Sequence, residues 1–298
     1  MTLAPVVLFV YNRPFHTKLV VDSLLKNHLA KDTELFIFSD GPRNEDAVPK
    51  VDEVREYIYS VEGFAKVEIV CSDVNRGLSG SIVEGVTQLV NRYGKVIVLE
   101  DDLKTSPFFL TYMNESLVMF EQEDRVACVH GYVYPLKRKV PETFFIKGAD
   151  CWGWGTWKRA WDLYEPNGQK LLDELVDRKL EYEFNFKNSF PYTEMLKDQI
   201  AGRNDSWAIR WYAAAFLRGK FVLYPGKSLV QNIGNDSSGT HSETTARFDV
   251  ELYESRIRID ARVVLNDPAY NAFVDYFRTF SPRKSFLSRM AKAFRDFF

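Results

Sequence analysis

Three consecutive acids, Glu100, Asp101 and Asp102, end the apolar run KVIVL within the stretch GKVIVLEDDLKTSPFF. Carboxylates a few ångströms apart destabilise one another unless a proton or a cation comes between them. All-oxygen ligands suit a hard divalent cation, Mg2+ or Mn2+, of the kind normally shared with substrate phosphates. The alternative is a solvated acidic turn opening the next helix, where carboxylates are favourable. Their place directly after a strand-like run favours the cation.

Other polar residues stand in similar positions. Asn12 and Arg13 follow the run VVLFVY, Asp40-Gly41-Pro42-Arg43 follows ELFIFS, and SDVNR, ending in Arg76, follows KVEIVC. Two arginine-bearing loops and two acidic ones suit a ligand that carries both phosphate and a divalent cation. GADCWGWGTW concentrates Gly148, Gly153 and Gly155 with Trp152, Trp154 and Trp157. It reads as a flexible loop, because glycine allows close backbone approach and indole faces stack on sugar rings. A packed aromatic loop is the plainer alternative. Asp205, in GRNDSWAIRWYAAAFLRG, precedes a helical pattern and is expected either as its N-cap or as a working carboxylate. His241, one of four histidines, lies in the polar loop GNDSSGTHS. It is either solvated or able to complete a metal site begun by carboxylates.

The elements that must position these residues alternate. VVLFVY (6–11), ELFIFSD (34–40), KVEIVC (66–71) and KVIVLE (95–100) are short β-rich runs. Each is followed by a helix-like segment: FHTKLVVDSLLKN, VDEVREYIYSV, SIVEGVTQLVNRYG and FFLTYMNESLVMF. Strand–helix alternation with short connections predicts an α/β fold with a mostly parallel sheet covered by helices on both faces. Continuous apolar residues within the runs imply burial on both sides. In such sheets ligands sit beyond the carboxyl ends of the strands, where the polar residues above are found. Residues 127–160 read as short strands and Gly/Trp-rich loops, 170–218 as helices, and the segment after 218 as a strand pair and a polar loop. With no linker-like stretch, 1–250 reads as one domain: a nucleotide-type half at 1–105, an acceptor-side half at 106–250, and a C-terminal helical extension at 251–298.

With 298 residues, 46% apolar and 27% charged, the chain can bury a substantial core. A net charge of −2 argues against a nucleic-acid partner, which would call for a basic face. Cys71, Cys128 and Cys151 show no metal-ligand spacing and suit free thiols in a reducing compartment. The start MTLAPVVLFVYNRP lacks a basic n-region, and Asn12, Arg13 and Pro14 interrupt its apolar run. It is read as neither signal peptide nor membrane span, which points to the cytoplasm.

Taken in order, VLFVYNRP, SDGPR, NRGLSGSI, VIVLEDDL, GWGTW, RNDSW and GTHS resemble the GT-A glycosyltransferases. The similarity is to family 2-like bacterial sugar transferases in particular and, more distantly, to N-acetylglucosaminyltransferase I. It covers roughly residues 5–245. The resemblance implies a metal-dependent, inverting transfer from a nucleotide sugar, UDP by analogy, to a saccharide or lipid-linked glycan acceptor in bacterial surface polysaccharide synthesis. It places Asp102 as main metal ligand with His241 reaching metal and diphosphate, and Glu100 and Asp101 at the donor. Asp40, with Asn12, Arg13 and the neighbouring Arg43, would line the base and ribose pocket, and Arg76 would face diphosphate or base. Gly153, Trp154 and Gly155 would form the glycine-rich loop, and Asp205 would be the catalytic base. Many relatives carry an acid directly after the motif tryptophan, where this chain has Ala208.

Two alternatives remain. A sugar-nucleotide pyrophosphorylase would carry a basic glycine-rich loop after the first strand, where this chain has YNRPFHTK. A degenerate GT-A domain acting only as a saccharide-binding module would tend to lose the acids. Finally, in 281–298, Phe286, Met290, Phe294 and Phe297 recur at helical spacing among Arg283, Lys284, Arg289, Lys292 and Arg295. Such a basic amphipathic segment can lie on an anionic inner-membrane surface or pack on the domain.

Overall fold

A computed structural model describes residues 2–235 and 246–280. Among these residues ten strands run in order β1 (Val6–Val10), β2 (Glu34–Ser39), β3 (Lys66–Cys71), β4 (Lys95–Glu100), β5 (Leu103–Thr105), β6 (Val126–His130), β7 (Thr143–Ile146), β8 (Trp154–Trp157), β9 (Phe221–Pro225) and β10 (Val230–Asn232). The helices of the first half are α1 (Pro14–Leu25), α2 (Val48–Tyr59), α3 (Gly77–Tyr93) and α4 (Phe109–Met119). Those of the second are α5 (Lys158–Trp161), α6 (Gly168–Asp177), α7 (Glu181–Phe184), α8 (Tyr192–Ile200), α9 (Trp207–Leu217) and α10 (Asp267–Arg278).

Eight strands form one sheet in the order β3-β2-β1-β4-β8-β6-β9-β7. The first four are mutually parallel, with Val6 opposite Leu35 and Ile97. β8 is antiparallel to both β4 and β6, β9 is parallel to β6, and β7 is antiparallel to β9. The protein is thus α/β with a mostly parallel central sheet, as the alternation predicts. All five residues of β1 are buried, so helices cover both of its faces. α1 packs with α2, whereas α3 packs with α5 and α9. Gly85 lets α3 close on the sheet, because a Cβ there would fall 2.8 Å from the Phe9 ring and 3.3 Å from that of Phe38.

GWGTW departs from the expected loop. Residues 154–157 are strand β8, with Gly155 opposite Ile97 on one side and Val129 on the other. Gly155 is needed inside the sheet, since a Cβ would meet Met113 Cε at 3.0 Å and the Val96 carbonyl at 3.2 Å. The C-terminal segment contributes one described helix, α10, whose Asn266 cap accepts the Ala269 N–H at 2.9 Å. Its Phe273 and Phe277 join the continuous apolar core.

Candidate active site

Parallel β1 to β4 end on one edge, and the polar residues gather there. Asp40, at the end of β2, is buried, and both its oxygens are engaged. Oδ1 accepts the N–H groups of Gly41 at 2.9 Å and Arg76 at 2.8 Å. Oδ2 accepts the Gly77 N–H at 2.9 Å and Asn75 Nδ2 at 3.1 Å. A carboxylate has about four acceptor sites, so Asp40 is saturated by the turn that opens α3. An acid is favourable at that helix start. Gly41 has no room for a side chain, since a Cβ would lie 2.5 Å from the Val74 backbone. Arg55 closes the same edge, donating to the Ser72 carbonyl at 2.6 Å. Asp40→Ala would strand these four donors, and we expect it to cost about 3 kcal/mol of stability, read from the urea midpoint. An unchanged midpoint would show that the turn stands without the carboxylate.

The acids after β4 have a counter-charge within the chain. Arg13, from the loop after β1, reaches Asp101 Oδ1 and, at 3.0 Å, Asp102 Oδ2 through one terminal nitrogen. Asp101 also accepts the Tyr11 N–H at 3.3 Å. Burial would lower the Arg13 pKa, but the two carboxylates raise it beyond its ordinary value. Among the described residues Glu100 has no ion-pair partner, and Arg13 acts on it only as a nearby charge. Desolvation first, then Asp102 and Asp101, hold its carboxyl well above the usual range. Burial likewise raises Asp101, against the opposing pull of Arg13.

β10 pairs with β5 and brings the next turn over these acids. The Ile233 N–H donates to the Asp102 carbonyl at 2.8 Å, and Gly234 N–H to Asn232 Oδ1 at 2.8 Å. Gly234 packs directly on the Asp102 carboxylate. A Cβ would collide with Oδ2 and fall 3.0 Å from Arg13 Nη1. Among the described residues Asp102 Oδ1 accepts no hydrogen bond, and no group of three His, Cys, Asp or Glu could hold a metal. The described residues here offer one or two hard oxygen ligands and no closed cage. That donor set fits a divalent cation whose remaining ligands come from phosphates and water.

Asp205 reaches the same edge from the far half. It is not the cap of α9: Ser206 is, its hydroxyl accepting the Ile209 N–H at 3.1 Å. The Asp205 side chain is 76% exposed and 3.9 Å from Arg210. Its Oδ2 lies 3.9 Å from where a Gly77 Cβ would be. Arg210 is anchored by the Ser206 carbonyl at 3.2 Å and Ser79 Oγ at 2.9 Å, which ties α9 to α3.

The remaining expected residues divide. Asn12 is partly buried beside Arg13, and Arg43 is exposed, with its N–H donating to Tyr11 Oη at 3.0 Å. Arg76 is exposed and pairs with Glu84. Trp154 is fully enclosed, its ring 5.4 Å from Trp207 and 5.8 Å from Trp161. Its faces meet other indoles rather than an open cleft. His241 lies outside the described residues. Asn75, Arg55, Arg210 and Asn235 were not anticipated. The bonds that place the first three span the chain, 35 positions from Asn75 to Asp40, 17 from Arg55 to Ser72 and 131 from Arg210 to Ser79. Asn75, Arg210 and Asn235 sat in segments already notable for Arg76, Asp205 and His241, but nothing local marked these residues themselves.

No protein-family profile and no curated protein matches the sequence. Several solved structures are similar to it. A TarS structure from S. aureus, residues 1–349, is 12% identical over 76% of this chain and 59% of that one, with a TM-score of 0.40. The mannosyltransferase PcManGT from Pyrobaculum calidifontis, in complex with GDP-Man and Mn2+, is 10% identical over 72% of this chain and 70% of that one, at 0.40. Mannose-1-phosphate geranyltransferase from Thermus thermophilus is 14% identical over 79% and 77%, at 0.39. The chain spans 24% of a longer TarS structure, at a TM-score of 0.30.

Proposed function

We propose that the protein is a metal-dependent GT-A glycosyltransferase. It transfers a hexosyl or N-acetylhexosaminyl group, with inversion, from a nucleoside-diphosphate sugar to a saccharide or lipid-linked glycan in bacterial surface polysaccharide synthesis. UDP is the first nucleotide to test. The observation that supports this reading is that two kinds of carboxylate lie along one sheet edge. Asp101 and Asp102 are clasped by Arg13, while Asp205 stands exposed across the α3 turn.

Cleaving an anomeric C–O bond places negative charge on the departing phosphate and oxocarbenium-like charge on the sugar. Mn2+ or Mg2+, held by Asp102 with help from His241, would supply Lewis-acid stabilisation of that phosphate. Arg13 and Arg76 bring fixed positive charge to the same edge. Glu100, Asp101 and Asn12 line the donor, and the turn built by Asp40 and Gly41-Arg43 shapes the nucleotide end. Gly153 and Gly155 act by allowing close packing around Trp154. Asp205 accepts the proton of the attacking hydroxyl, and a single displacement inverts the anomeric centre. Calorimetry with UDP and GDP, with and without Mn2+, tests the donor, and a nucleotide-sugar hydrolysis panel then identifies the sugar. Absence of binding to every nucleoside diphosphate would sink the reading.

The chain works from the cytoplasmic side in this scheme. No described helix is long and apolar enough to cross a membrane. Residues 281–298 lie outside the described residues, and their sequence supports attachment to an anionic leaflet. Full-length protein should then sediment with anionic liposomes in a salt-sensitive way, and deletion of 283–298 should release it. Sedimentation indifferent to salt and lipid charge would refute the attachment.

A further inference from the structure

We propose that Asn235 is a donor-binding residue whose amide engages the diphosphate and its cation beside Asp102, an inference that rests on the nucleotide-sugar reading above. Asn235 is 8% exposed, and among the described residues neither Oδ1 nor Nδ2 finds a hydrogen-bond partner. Buried side-chain amides are ordinarily satisfied, because leaving both ends unpaired costs stability. An unpaired amide in a deep interior would be a packing fault, but this one follows the glycine that lies against the Asp102 carboxylate.

The turn that carries it is held in place independently. Ile233 N–H is bonded to the Asp102 carbonyl, Gly234 N–H to Asn232 Oδ1, and Asn232 is paired with Leu103 in the small sheet. Asn235 therefore directly follows a residue seated on the Asp102 carboxylate, in a turn whose bonds do not use the Asn235 side chain. A carboxamide offers one acceptor and two donors. A diphosphate chelating a divalent cation presents the complement of both, with a cation for Oδ1 and phosphate oxygens for Nδ2. A ligand without the second phosphate offers far less, since the cation is normally shared between phosphates and carboxylates.

Asn235→Leu, close to isosteric, separates a ligand role from a structural one. In protein without nucleotide the melting temperature should stay level or rise, because an unpaired buried amide is replaced by an apolar group. The affinity for UDP or GDP with Mn2+, measured by calorimetry, should fall at least tenfold. Binding of the matching nucleoside monophosphate should change little. Asn235→Ala should reproduce the pattern. Unaltered diphosphate affinity in either variant would overturn the proposal. So would a lowered melting temperature or failure to fold in both, which would make the amide structural. Wild-type protein that binds no nucleoside diphosphate would overturn the transferase reading and this inference with it, whereas wild-type binding with indifferent variants removes only the inference.

Discussion

Asp102→Asn should lower turnover by about a thousandfold while leaving the fold intact. The rate expectation is the loss of a ligand to a cation that stabilises leaving-group charge, an effect of several kcal/mol, with each 1.36 kcal/mol worth about tenfold. The fold expectation comes from Arg13. Its guanidinium would keep Asp101, and the Asp102 backbone carbonyl that receives the Ile233 N–H is untouched. The variant should also lose any Mn2+ dependence of nucleotide binding. Full wild-type activity in excess EDTA would remove the metal from the scheme.

Asp205→Asn should cost about 10²–10⁴-fold in rate, the range for a general base, with donor binding unchanged. Because Ser206 rather than Asp205 caps α9, this loss should come without a change in melting temperature. Ser206→Ala gives the reverse result: about 1 kcal/mol less stable from the missing cap, with the rate per folded molecule preserved. An Asp205→Asn enzyme within tenfold of wild type would leave the exposed carboxylate without a catalytic role. The two neighbours thus separate chemistry from stability within two residues of chain.

The first four strands were legible because their signals are local. The apolar runs before Asp40 and Asp101 coincide with β2 and β4, and their direction places both acids on one edge. β8 was not legible. Gly153 and Gly155 suggest flexibility to any local rule, yet Gly155 is there because Met113 and the Val96 carbonyl come from elsewhere in the chain. The helix start at Asp205-Ser206 shows another limit, since either residue type can cap and only the Ile209 N–H decides between them. The acid triplet posed the right electrostatic problem, and sequence suggested a metal. The structure supplies a guanidinium 88 positions earlier in the chain as the first counter-charge. That pairing depends on β1 and β4 being neighbours, which no local pattern reveals.

The packing of the indoles determines what spectroscopy can observe. All six tryptophans fall between residues 152 and 211, and the first 151 residues contain none. Four of them, Trp154, Trp161, Trp207 and Trp211, stand with neighbouring ring centroids 5.2–6.3 Å apart. Excitation is shared readily at such spacing, so emission behaves as one reporter seated among β8, α5 and α9. Tryptophan emission therefore reports on β1 to β4 and α1 to α4 only through their contacts with the indoles, such as the Trp157 N–H donated to the Leu117 carbonyl of α4, whereas far-UV dichroism weighs every helix. Coincident melting curves from the two probes would mean that both halves of the sheet unfold together, and a gap between them would date the separation of the acid-bearing edge from its tryptophan-rich support.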